Sequence, residues 1–258
     1  MIERSINEAS TKDEGSRAKG NHQISNVRLA LVLPRSFLIR PEGASPMTQT
    51  RTLHQNQPRL QRGEPETPQA AMILLHGRGD SAQGILSLAD HLLRPGWTFI
   101  APQAAGNAWY PNRFIAPIQS NEPWLGSALQ VVTDTLKAVH ETGVPNDRVI
   151  LLGFSQGACL ALEAAARLGG RFGGVAGLSG GLIGDTLDPT RYKRLELTRV
   201  FLGCSDTDFH IPLERVSETA VILENLGARV DTRIYPNFGH TVNEDELDAV
   251  REMMKLVA

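Results

Sequence analysis

Cysteine is scarce in this chain. Only Cys159 and Cys204 occur among 258 residues, each inside an apolar segment. That excludes a multi-bridge disulfide framework and leaves buried free thiols as the expectation. There is no CxxC pair and no HExxH, so no metal site is indicated. Charge of one sign is also lacking. The formal net charge is −2, so no broad electrostatic pull toward nucleic acid or an anionic membrane is expected. No apolar run approaches the ~20 residues that span a bilayer, so no integral membrane association is expected. Repeats of solenoid length are missing too, and there is no room for a large inserted lid domain. What remains is an ordinary globular balance, 41% hydrophobic and 21% charged, in a chain long enough for one sizeable core.

Residues 1–69 differ from the rest. They are rich in Ser, Asn, Gln, Arg and Pro and carry no sustained periodicity. The segment Val27–Arg40 is locally apolar, but Pro34 and Arg35 interrupt it and no A-x-A-like cleavage site follows, which argues against a secretory signal. A cytoplasmic location is the expectation. Residues 1–69 read as a poorly structured extension, and residues 1–46 either as disordered or as an artefact of start-site choice, with Met47 the alternative start.

From Ala70 to the C-terminus, short apolar runs alternate with helical periodicity. Strands are expected at Ala71–Leu75, Trp97–Ala101, Arg148–Gly153, Gly174–Leu178, Arg199–Gly203 and Arg229–Tyr235. Helices are expected at Ser81–Arg94, Leu125–His140, Gln156–Leu168, Pro212–Leu226 and Glu244–Val257, the last capped by Asn243 with Glu246 three residues on. This alternation predicts an α/β fold of the α/β-hydrolase kind, a mostly parallel sheet with helices on both faces and no large lid. Ligands then bind beyond the carboxyl ends of the strands.

Gly153-Phe154-Ser155-Gln156-Gly157 follows a strand and opens a helix, which is the context a G-x-S-x-G nucleophile elbow requires. The turn is tight enough that the residues two before and two after the serine must be small. A serine hydroxyl needs a histidine base, and the histidine a carboxylate that fixes its tautomer. In this fold the order is Ser, acid, His. Of seven histidines only His210 and His240 follow Ser155. His240 sits in a loop between the last strand and the last helix, which favours it as the base, whereas His210 crowds the candidate acids. Those acids, Asp206 and Asp208, follow the strand Arg199–Gly203; spacing leans toward Asp208 and leaves Asp206 as a brace of the turn. Two N–H groups must hold the oxyanion. Gln156 supplies one and Arg78, in Leu75-His76-Gly77-Arg78-Gly79-Asp80, the other. The same segment satisfies a dinucleotide fingerprint through Gly77, Gly79 and Ala82, but the next strand ends at Gln103 rather than an acid, which argues against that reading.

Three stretches, Leu74–Asp80, Gly143-Val144-Pro145-Asn146-Asp147-Arg148 running into the elbow, and Gly177-Leu178-Ser179-Gly180, resemble the phospholipase/carboxylesterase family, which includes acyl-protein thioesterases. Asp206-Thr207-Asp208-Phe209-His210-Ile211-Pro212 is similar to that family's acid loop, and Phe238-Gly239-His240-Thr241 to its histidine loop. The resemblance implies that Asp208 is the catalytic acid. It further implies a cofactor-free, lid-less esterase or thioesterase acting on small acyl esters, lysophospholipids or thioesters, and it leaves a homodimer open. Two features bear on the pocket. Arg78 stands where many members carry an apolar residue, which suggests a preference for anionic substrates. Trp109, in a family-like loop, is a candidate lining of the acyl site, with simple packing the alternative; Asn112-Arg113-Phe114 beyond it departs from the family pattern. Asp80 is expected to hold its loop through hydrogen bonds. The rival functions are a lactonase of dienelactone-hydrolase type, disfavoured by serine in place of cysteine, and a non-catalytic ligand-binding homologue, disfavoured by an intact triad.

Overall fold

The computed structural model describes residues 53–64 and 66–257. Among these residues seven strands form one sheet in the order β1-β3-β2-β4-β5-β6-β7. They are β1 (Arg59–Gly63), β2 (Ala70–Leu75), β3 (Trp97–Pro102), β4 (Val149–Phe154), β5 (Gly174–Leu178), β6 (Arg199–Ser205) and β7 (Arg229–Tyr235). All pairs are parallel except β1 with β3. The central strands are unbroken apolar runs because helices cover both of their faces: every residue of β2 and β5 is buried.

One face carries α2 (Trp124–Glu141), α3 (Gln156–Leu168) and α4 (Leu213–Asn225) over Ile73, Leu75 and Leu151. The other carries α1 (Ala82–Leu86) and α5 (Glu244–Lys255) over Met72, Leu74 and Ile150. Alternation along each strand thus divides the core into two layers. Helix α3 is buried from Gln156 through Ala166, and its alanines let it lie close to the sheet. Cys159 and Cys204 are both free and buried, and burial pushes each thiol up to about 12. Among the described residues no helix is long and apolar enough to cross a membrane.

Three expectations are corrected. The segment before Ala70 is not structureless throughout. Strand β1 pairs from Arg59 opposite Pro102 to Gly63 opposite Thr98, and Leu53 and His54 donate N–H bonds of 3.1 Å to Ser127 Oγ. As an edge strand with one apolar residue in five, β1 leaves no readable alternation in the sequence. The proposed extension 1–46 lies outside the described residues. The helix expected over 81–94 is α-helical only from Ala82 to Leu86 and tightens to 3-10 geometry over Ser87–His91. The Ser87 hydroxyl donates to Gly84 O at 2.6 Å, a local bond that competes with helix continuation. Strand β6 runs two residues further than expected, pairing Cys204 with Ile234 and Ser205 with Tyr235. That extension carries the acid loop to the sheet edge where the histidine loop emerges. At the start of α5, Asn243 and Glu246 form the expected capping box, each bond 2.9 Å.

Candidate active site

The turn between β4 and α3 shows why glycine is needed on both sides of Ser155. A Cβ on Gly157 would drive into the Leu75 carbonyl, and one on Gly153 into the backbone of Gly157. With both in place Ser155 is forced to φ 54°, ψ −118°, a conformation rare for a residue with a side chain. Its N–H is anchored to Leu178 O at 2.9 Å, and its carbonyl accepts the first bond of α3 from Cys159 N at 3.0 Å.

The structure brings Ser155, His240 and Asp208 into one line. His240 Nε2 lies 2.9 Å from Ser155 Oγ, and His240 Nδ1 lies 2.6 Å from Asp208 Oδ2. The Asp208 side chain is fully buried. Its other oxygen, Oδ1, accepts the N–H groups of His210 (2.8 Å) and Ile211 (3.1 Å). An ionised carboxylate only accepts, so the His240 proton sits on Nδ1 and Nε2 is left to accept from the serine hydroxyl. The imidazole is held between Phe154 and His210, with ring centroids at 4.9 and 4.8 Å. His210, the other candidate base, is therefore a neighbour of the line and not a member of it. Asp206 braces the histidine loop by accepting from Asn237 N at 2.8 Å.

Sequence reasoning assigned no role to Ser205, at the end of β6. It is buried, and its Oγ accepts from Thr207 N (3.2 Å), Phe238 N (3.1 Å) and Gly239 N (3.0 Å). One hydroxyl thus ties the acid loop to the loop of His240. No local pattern marks such a residue, because its partners in the histidine loop lie more than thirty residues away.

Opposite Ser155 lies the loop after β2. A Cβ on Gly77 would sit 3.5 Å from the Ser155 Cβ, so this loop packs directly on the elbow. Gly79 N donates to Asn107 O (2.7 Å) and Asp80 N to Gly77 O (3.2 Å). Among the described residues, neither the Arg78 nor the Gln156 N–H is taken by a protein acceptor. Beneath the loop, the buried His76 shares its Nδ1 proton with Gly77 O (2.8 Å), and its Nε2 accepts from Ala104 N (3.0 Å). Burial lowers its pKa.

Trp109 does not line the site. It is fully buried, packed between the tilted rings of His54 (centroids 5.7 Å apart) and His76 (5.0 Å), and its indole N–H donates to His76 O at 2.9 Å. The packing alternative holds because the indole is spent supporting the loop after β2. The Gln156 side chain, by contrast, has a clear task. Its Oε1 accepts from Trp109 N and its Nε2 donates to Tyr110 O, both at 2.8 Å. Asp80 is exposed and packs over Gly84; among the described residues its carboxylate accepts no hydrogen bond, and Ser81 caps α1 instead.

A cavity of about 800 Å³ opens at Ser155 and His240, walled by Tyr110, Phe114 and Ile211 on its apolar side and by Arg78, Arg113 and His210 at its polar rim. That volume suits a small organic ligand.

A family model described as phospholipase/carboxylesterase matches residues 61–258. The chain is 26% identical over 220 residues to acyl-protein thioesterase 1 of Gibberella zeae, covering 72% of this chain and 89% of that protein. It is 28% identical over 205 residues to lysophospholipase-like protein 1 of Mus musculus, covering 70% and 84%. Among solved structures it is similar to a phospholipase/carboxylesterase from Dyadobacter fermentans, with 37% identity, a TM-score of 0.75, and coverage of 77% of this chain and 96% of that one.

Proposed function

The chain belongs to the phospholipase/carboxylesterase family and is a serine hydrolase acting on esters or thioesters; from that premise we propose that it cleaves small acyl esters or thioesters through Ser155, His240 and Asp208. The observation that carries this reading is the continuous hydrogen-bonded line from Asp208 through His240 to Ser155 Oγ at the mouth of the cavity.

In the first step the Ser155 oxygen attacks the acyl carbon while its proton passes to His240 Nε2. Asp208 holds the imidazole in the accepting tautomer and stabilises the imidazolium. The oxyanion receives the N–H groups of Arg78 and Gln156, the latter at the positive end of α3. Collapse expels the alcohol or thiol, which takes the proton from His240 and leaves an acyl-serine. Water, deprotonated by the same imidazole, then attacks that ester, and Ser155 is released with the carboxylic acid. No cofactor enters this sequence.

The test is labelling by a fluorophosphonate probe, with hydrolysis of acetyl to decanoyl p-nitrophenyl esters alongside. Wild type should label and turn over. Ser155→Ala should lose labelling completely and turnover by on the order of 10⁴-fold or more. Folded wild type that neither labels nor hydrolyses any of these esters would refute the reading and favour a non-catalytic ligand-binding protein.

A further inference from the structure

The cavity rim carries two guanidinium groups held in an unusual way. Arg78 donates from Nη1 to Pro111 O (2.8 Å) and from Nη2 to Asn112 O (2.6 Å), with its fork 6.0 Å from the centre of the Tyr110 ring. Arg113 donates from Nη2 to His210 O at 3.4 Å. Both residues line the cavity. Neither is within ion-pair distance of a carboxylate among the described residues, whereas Arg167, Arg215, Arg233 and Arg251 all are. Backbone carbonyls orient a guanidinium without neutralising it, and each arginine has five N–H donors. Arg78 spends two on carbonyls and Arg113 one. The remaining donors and both full charges stay beside the space in front of Ser155. The carboxylates that line or border the cavity do not cancel them: Asp208 is buried and committed to His240, and among the described residues only Asp80 lies at the rim.

We propose that this rim selects esters or thioesters bearing a carboxylate, with Arg78 and Arg113 as the specificity-determining residues; this rests on the esterase reading above and names its substrate class. The physical case is preorganisation. A free surface arginine loses rotamer freedom on gripping an anion, whereas Arg78 is already held by two carbonyl partners and so loses less on binding; Arg113, with one long bond, is held more loosely. The walls beyond the rim are apolar, Phe114 and Ile211 among them, while Arg78 and Arg113 themselves are exposed, so their pull on a carboxylate is moderated by solvent. Two such solvent-exposed contacts together amount to roughly 3–30-fold in kcat/KM. Asp80 opposes the preference, and its neutralisation should raise it.

The experiment compares matched pairs of chromogenic esters. On the acyl side, the mono-p-nitrophenyl esters of adipate and suberate are set against the neutral hexanoate and octanoate. On the alcohol side, 4-acetoxybenzoate is set against its methyl ester. Wild type should favour the anionic member of at least one pair by roughly 3–30-fold, which also identifies the side that meets the rim. The ratio should fall with added salt. It should collapse toward about one in Arg78→Leu/Arg113→Leu and rise in Asp80→Asn. Each variant is labelled with the fluorophosphonate, so that loss of selectivity is separated from loss of the site. If Arg78→Leu fails to label because Pro111 and Asn112 have lost their tether, Arg113→Leu, which removes only one long bond, decides alone. A wild-type preference for the neutral member of every pair overturns the proposal, as does an anionic preference that survives in the variants. Failure of wild type to hydrolyse any ester overturns the esterase reading instead.

Discussion

Replacing Gln156 by alanine isolates the task of one side chain. The residue follows the nucleophile, and its amide is clamped between Trp109 N and Tyr110 O, both bonds 2.8 Å. The amide has only one orientation here, because an N–H faces its oxygen and a carbonyl faces its nitrogen. Alanine leaves both backbone groups without a partner, and Trp109 and Tyr110 are both buried. Each such orphan costs ~1–3 kcal/mol, so about 2–5 kcal/mol is expected after partial relaxation of the loop. Glutamate makes a sharper probe. It still accepts from Trp109 N, but its second oxygen meets the Tyr110 carbonyl unless it carries a proton that it can donate. The folded variant therefore holds that proton to higher pH than the unfolded chain, whose glutamate titrates near ~4.3. The sign follows: the deficit relative to wild type is small below that value and grows as pH rises through the elevated folded pKa. Urea denaturation at about pH 5 and pH 8, for wild type and both variants, measures it. Gln156→Ala within about 0.5 kcal/mol of wild type, or a Gln156→Glu deficit that shrinks as pH rises, would refute the reasoning.

Ser205→Ala removes one acceptor from three N–H groups in the acid and histidine loops; kcat/KM should fall roughly 10–100-fold as His240 loses its fixed position, while fluorophosphonate labelling slows rather than disappears. Labelling at the wild-type rate would refute that role. His54 and His76 each use a ring nitrogen as acceptor, from Ala105 N and Ala104 N, both at 3.0 Å, and burial lowers both below the ordinary 6.5. As pH falls below ~6.5 the unfolded chain takes up protons that the folded one refuses, so stability should decline on acidification through that region. Imidazole NMR titration with either midpoint at or above the free value would contradict this. Asn243→Ala, which dismantles the capping box of α5, should cost about 1 kcal/mol in thermal or urea unfolding; no change would mean that packing alone sets the start of this helix.

The parts of this protein whose physics is local are legible in the chain alone. The elbow is readable because the steric demand at Gly153 and Gly157 is met within five residues. The apolar runs of β2, β4 and β5 declare a sheet covered on both faces, and the cap of α5 lies within four residues. Chain order narrows the base to His210 and His240, and the position of His240 in the loop between the last strand and the last helix favours it. The choice between Asp206 and Asp208 was different. Spacing only leaned toward one, and the answer depended on how far β6 extends alongside β7, since that register decides which carboxylate reaches an imidazole 32 residues away. Only tertiary structure placed Trp109 behind the site instead of in it, because an indole in a loop is equally suited to packing and to lining a pocket. The same holds for the partners of Ser205 in the histidine loop and of the Gln156 amide in the Trp109 loop, all more than thirty residues away, and for the place of Arg113 at the cavity rim. Strand β1 was hidden for a related reason. An edge strand with polar faces is stabilised by its partner β3 and not by its own pattern.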